Sequence, residues 1–133
     1  MPPALRLRAL VSCGALVSLL NAQCIVTFAG SGLTRTGSGA NAGDGGPAWN
    51  MSLNSPQVVN TDGAGGVLIL ETLTSLLRRV FANGTAITVA GTGVSGYSGD
   101  YGPATLAKLY NPTAVAVDGA GGYWCVGTLA NKS

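Results

Sequence analysis

The chain has 133 residues, room for one small domain, with seven basic and five acidic side chains, 21 glycines and no histidine. The lack of histidine excludes Ser-His and Cys-His catalysis and His-dependent zinc sites within these residues. Only Arg78 and Arg79 adjoin in the body of the chain, and neighbouring strand residues point to opposite faces, so no phosphate-binding patch forms and nucleic acid is not an expected partner.

Residues 1–23 read as a secretory signal peptide. Arg6 and Arg8 charge the start, an apolar run spans Ala9 to Leu20, and "NAQC" offers small residues for cleavage near Ala22 or Gln23. The run falls short of the ~20 residues that a membrane span needs, so no stable membrane span is expected. A lipoprotein signal with Cys24 lipidated is a rival reading, and Gln23 before it fits that poorly. A buried N-terminal helix is another. The signal places residues 24–133 outside the cell or in the secretory pathway. They carry five basic and five acidic residues and are near neutral. Cys13 leaves with the signal. Cys24 and Cys125 can form one disulfide in an oxidising compartment or stay as two separate buried thiols. Asn50, Asn83 and Asn131 each begin an N-glycosylation tripeptide.

From Cys24 the chain repeats itself. "GDGGPA" at Gly43–Ala48 returns as "GDYGPA" at Gly99–Ala104, and "LNSPQVVNTDGAGG" from Leu53 returns as "LYNPTAVAVDGAGG" from Leu109. Each second copy lies 56 residues after the first. "IVTFAGSG" from Ile25 matches "ITVAGTG" from Ile87 at a slightly larger offset, so the first copy has extra loop residues around 33–42.

In chain order, an outer strand is expected at 24–29. "QVVNTD" is a first strand, "DGAGG" a tight turn, "VLILE" a second strand and "LLRRVF" a third. "NGT" is a hairpin turn with Asn83 and Gly84 as its φ-positive pair, and "AITVAG" is a fourth strand. The second copy supplies "TAVAVD" and "YWCVG". Pro56 and Pro112 can begin a strand but not join its ladder. The unit is a four-stranded antiparallel one, followed by a Gly/Pro loop. Gly91-x-Gly93-x-x-Gly96 after a strand, with Asp118 further on, matches a dinucleotide-binding spacing. Gly99, Gly102 and Pro103 fill the turns where its helix would start, so a strand exit is the expected reading.

This ordered set of motifs, from Ile25 to about Thr128, resembles the NHL-repeat β-propeller family in its teneurin-NHL subtype. The resemblance implies an all-β partial propeller of four-stranded blades. It gives one complete blade at about 56–91 and the first strands of the next at 112–128. Rings of this kind have about six blades, so the resemblance also implies a truncated piece of a longer secreted propeller. Gly43, Asp44, Gly46 and Pro47, with Gly99, Asp100, Gly102 and Pro103, become the inter-blade loop motif. Calcium at Asp44 or Asp100 is the weaker reading, because Asp beside Gly ordinarily bonds neighbouring backbone N–H groups. The same Asx-turn role is expected of Asp62 and Asp118. The family's second strand normally ends Ala-Asp-Thr. Here Glu71 replaces that Asp, Thr74 stands at the family's Asn position, and the second copy ends Val126-Gly127-Thr128 with no acid. Trp124 is expected in the core.

The expected function is a protein- or ligand-binding or structural module without catalysis or cofactor. Its partner would be a protein or carbohydrate, and open blade edges could support self-assembly. The alternative is a carboxylate-metal lactonase-like hydrolase completed by other blades.

Overall fold

The computed structural model describes residues 27–33 and 43–128. The signal segment, Cys24 and Asn131 lie outside the described residues, as does most of the outer strand expected at 24–29. Its described part, Thr27–Ala29, is not in a strand.

Six strands form two antiparallel sheets. The first sheet holds β1 (Pro56–Thr61), β2 (Val67–Glu71), β3 (Leu76–Val80) and β4 (Ala86–Ala90), in the spatial order β1-β2-β3-β4. The second holds β5 (Pro112–Val117) and β6 (Tyr123–Gly127). Each strand falls on a segment expected from the sequence. Pro56 and Pro112 are first residues of their strands, and the register slips between each and the residue two further on. That is where an imino acid without an N–H can be tolerated.

The two copies share their local geometry as well as their letters. Single 3₁₀ turns at Ala48–Asn50 and Ala104–Leu106 follow Pro47 and Pro103. Gly30 and Gly91 share a positive φ, 97° and 96°, and Gly91 leaves β4 with it. Their N–H groups bond the Ala48 and Ala104 carbonyls at 2.9 and 3.0 Å. No α-helix follows Gly96 among the described residues, which rules out the dinucleotide-binding reading of that loop.

The first sheet buries both faces. On one face Ile69 and Val80 pack with Ala48, Met51 and Ala86. On the other Leu68, Leu70 and Leu77 pack against Val115 of the second sheet, with Tyr123 and Cys125 beside them. Period-two alternation along β2 and β3 makes this division. Leu68, Leu70 and Leu77 have no exposed surface, each contributing roughly 1.5–3 kcal/mol of burial. β1 lies beside β5. Asn60 Nδ2 donates to the Val115 carbonyl at 3.2 Å and Thr72 Oγ1 to the Pro112 carbonyl at 3.1 Å, tying the sheets together.

Two expectations need correction. The β3–β4 turn is not a two-residue loop with two φ-positive residues. Gly84 alone is φ-positive, at 83°, and its N–H bonds the Phe81 carbonyl. Asn83 keeps an ordinary φ and its Oδ1 accepts the Thr85 N–H at 2.9 Å, so the loop is a longer one carrying a glycine bulge. Trp124 is not core. It is 67% exposed, because it points from β6 away from the first sheet.

Candidate functional site

The chemistry of the described residues gathers at two places: polar clusters on the two faces of the first sheet, and their counterparts on the second. On one face Arg78 is buried, and its Nη2 meets Asp44 Oδ1 at 2.8 Å. Asp44 also accepts the Thr88 N–H at 2.9 Å and the Thr88 hydroxyl at 3.1 Å. Glu71 is buried beside them. Its Oε2 accepts the Asn54 N–H at 2.9 Å and the Thr74 hydroxyl at 2.8 Å. Its Oε1 accepts no hydrogen bond and sits 4.0 Å from Arg78 Nη1. This cluster ties the loop before β1 to β2, β3 and β4.

Asp44 thus departs from the expected local turn role. Its partners lie on β3 and β4, across the sheet, because Gly45 and Gly46 pair with Ala86 and carry the loop onto the edge of β4. Neither that contact nor the Arg78 pair has a signature in the six-residue motif. Glu71 and Thr74, although they differ from the family pattern, still bond each other across the β2–β3 turn.

On the opposite face Asp62 and Arg79 pair. Asp62 Oδ1 accepts the Ala64 and Gly66 N–H groups at 2.8 and 2.7 Å, the turn role expected of it. Its Oδ2 accepts Arg79 Nε and Nη2 at 2.9 and 2.7 Å, two charge-assisted bonds converging on one oxygen. The guanidinium lies over Phe81 at 4.6 Å and near the Tyr123 ring at 5.8 Å. The Ala64 N–H, with the Arg79 side chain and the Gly66 N–H, outweighs burial and holds the Asp62 carboxyl below the usual carboxylate range. A lowered value means the ionised carboxylate stabilises the fold at neutral pH. That contribution is lost as pH falls below the unfolded value of about 3.9 and through the folded one. Thermal unfolding of wild type and Asp62→Asn will therefore show a gap in Tm that is constant above pH ~5 and closes below pH ~4.

The second sheet repeats half of this arrangement. Asp118 Oδ1 accepts the Ala120 and Gly122 N–H groups at 2.7 and 2.8 Å, as Asp62 does in its own turn. Asp118 is exposed, and its Oδ2 has no hydrogen-bond partner among the described residues. Asp100, the counterpart of Asp44, is exposed and accepts the Tyr97 hydroxyl at 3.1 Å. β6 pairs with β5 on one edge, and no described strand lies on the other.

The remaining loop-motif residues stay on the surface side of the fold. Gly43 and Gly99 accept the Gly46 and Gly102 N–H groups, and Pro47 and Pro103 lead into the 3₁₀ turns. Asn50 and Asn83 are exposed, Asn83 at a hairpin tip. Cys125 is a half-buried thiol, and burial pushes it up from its ordinary pKa. It borders two clefts, the first between the sheets and the second between the second sheet and the loop before it. One, of about 190 Å³, is lined by Leu77, Ala90, Ala107 and Tyr123. The other, of about 220 Å³, opens beside Tyr97, Asp100 and Lys108. Among the described residues no three Cys, Asp or Glu side chains converge as a metal-holding group, and no helix is long and apolar enough to cross a membrane.

No protein-family model, curated protein or solved structure matches the chain.

Proposed function

We propose that this chain supplies NHL-type blades to a β-propeller and works outside the cell as a binding or structural module rather than as an enzyme. The observation that carries the reading is a pair of faces. Leu68 and Leu70 of β2 have no exposed surface, because the second sheet covers them. Their counterparts 56 residues on, Trp124 and Val126, are 67% and 60% exposed. One sheet stacked on the next is the arrangement of consecutive blades, and the second sheet presents the face that a further sheet would cover. The motif resemblance and the repeated turns support the same reading. Asp44, Asp62 and Glu71 are occupied as internal ties, which favours a scaffold over a catalytic centre.

Sedimentation velocity across a concentration series tests it. The wild-type chain is expected to self-associate, and Trp124→Ser with Val126→Ser to weaken that about tenfold or more, since large apolar side chains leave the interface. A chain that stays monomeric, with or without those changes, contradicts the exposed-face reading. A stoichiometric tightly bound divalent ion accompanied by lactone hydrolysis would overturn the non-catalytic part.

A further inference from the structure

We propose that the edge of β6 along which no described strand lies docks an extended polypeptide segment carrying two adjacent arginines within an aliphatic frame. This deepens the binding-module reading by naming the partner. It rests on the two-unit repeat in that reading and not on closure of a ring.

The first sheet shows what such an edge accepts. β3 pairs antiparallel to β2, with Arg79 opposite Leu68 and Arg78 opposite Ile69. Arg79 then reaches back to Asp62 in the β1–β2 turn with both Nε and Nη2. Arg78 reaches Asp44 in the preceding loop. The second sheet reproduces the receiving half. β5 and β6 pair in the same register and with the same irregularity as β1 and β2. Asp118 repeats the two turn bonds of Asp62 and so aims its Oδ2 as Asp62 does.

Carrying the register across places one incoming arginine opposite Trp124, within reach of Asp118. The arginine before it falls opposite Cys125, on the Asp100 side. Trp124 is exposed on the face that Arg79 uses in the first sheet, so its indole can flank the guanidinium, as Phe81 flanks Arg79. Main-chain ladder bonds would supply affinity to any extended segment. The carboxylates select for arginine, whose planar fork matches them where lysine does not. A folded second copy is a poor occupant. Its own Arg78-Arg79 segment is β3, paired on both edges by β2 and β4.

The segment Ser75–Phe81, made as a labelled peptide, is the probe. Fluorescence anisotropy with the full chain should show saturable binding. Asp118→Asn keeps the Oδ1 acceptor that closes the turn and removes the charge, and it should weaken binding about tenfold. Citrulline in place of both peptide arginines should do the same against the wild-type chain, a comparison that does not depend on any protein variant folding. A scrambled peptide of the same composition should bind at least about tenfold more weakly. No saturable binding, equal binding of the scrambled or citrulline peptide, or indifference to Asp118→Asn would each overturn the proposal. Self-association that persists while the peptide fails would leave the stacked-face reading standing and remove this one.

Discussion

Replacing Arg78 with methionine will destabilise the fold by about 3–5 kcal/mol, a large part of the whole stability of a small domain. The side chain is 1% exposed and lies between two carboxylates, Asp44 at 2.8 Å and Glu71 at 4.0 Å. Methionine fills most of the volume and removes the cation that both carboxylates meet among the described residues. Glu71, 2% exposed, then keeps a charge in a place with little water to solvate it. The cost is that of an uncompensated charge, not the net worth of the pair, so it should shrink when the charge is removed as well. The double variant Arg78→Met with Glu71→Gln should recover a substantial fraction of the loss. Urea unfolding of the two single variants and the double variant reads the coupling directly. Additive losses would mean that Arg78 and Glu71 act independently.

Gly91→Ala is the second large effect, with an expected loss of about 2 kcal/mol or more. Gly91 has φ +96°, and a Cβ there would run into the Ser75 carbonyl, which is backbone and cannot swing aside. Ser75 is itself at φ 54° in the β2–β3 turn, so the neighbour has little room to give. The Gly91 N–H holds the Ala104 carbonyl, and through it the turn that starts the second unit. The change should therefore lower Tm and also loosen the second sheet. Gly63→Ala is the control. That glycine also has positive φ, but a Cβ there meets nothing within 4 Å. It carries only the backbone penalty, about 1 kcal/mol. Equal Tm losses for the two variants would show that the close approach to Ser75 does not matter.

The strands were legible because their signals are local. "VLILE" and "YWCVG" each follow a glycine-rich turn, and the observed strands have the same bounds. The 56-residue repeat carried more than any single motif, since it foretold matching turns at Asp62 and Asp118. Gly91 illustrates the limit of a spacing rule. The residues fit a dinucleotide loop, yet the glycine serves a strand exit packed on Ser75.

What the sequence hid is non-local. Asp44 and Arg78 stand 34 residues apart, and nothing in either neighbourhood marks them as partners. That the adjacent arginines face opposite sides of the strand was legible, but their acidic partners were not. The pleat sends Arg78 to Asp44 on one face and Arg79 to Asp62 on the other. Trp124 was misjudged for a related reason. Strand pattern shows which side a residue faces, but not whether another sheet lies over that side.

Residue-resolved amide hydrogen exchange on the dilute chain tests the account most directly. β2 and β3 have a strand on both edges, so protection should run continuously through Val67–Glu71 and Leu76–Val80. Among the described strands β6 has one paired edge, so protection should alternate residue by residue from Tyr123 to Gly127. Continuous protection along Tyr123–Gly127, or fast exchange through Val67–Glu71, would contradict a repeat unit followed by a second with its edge open.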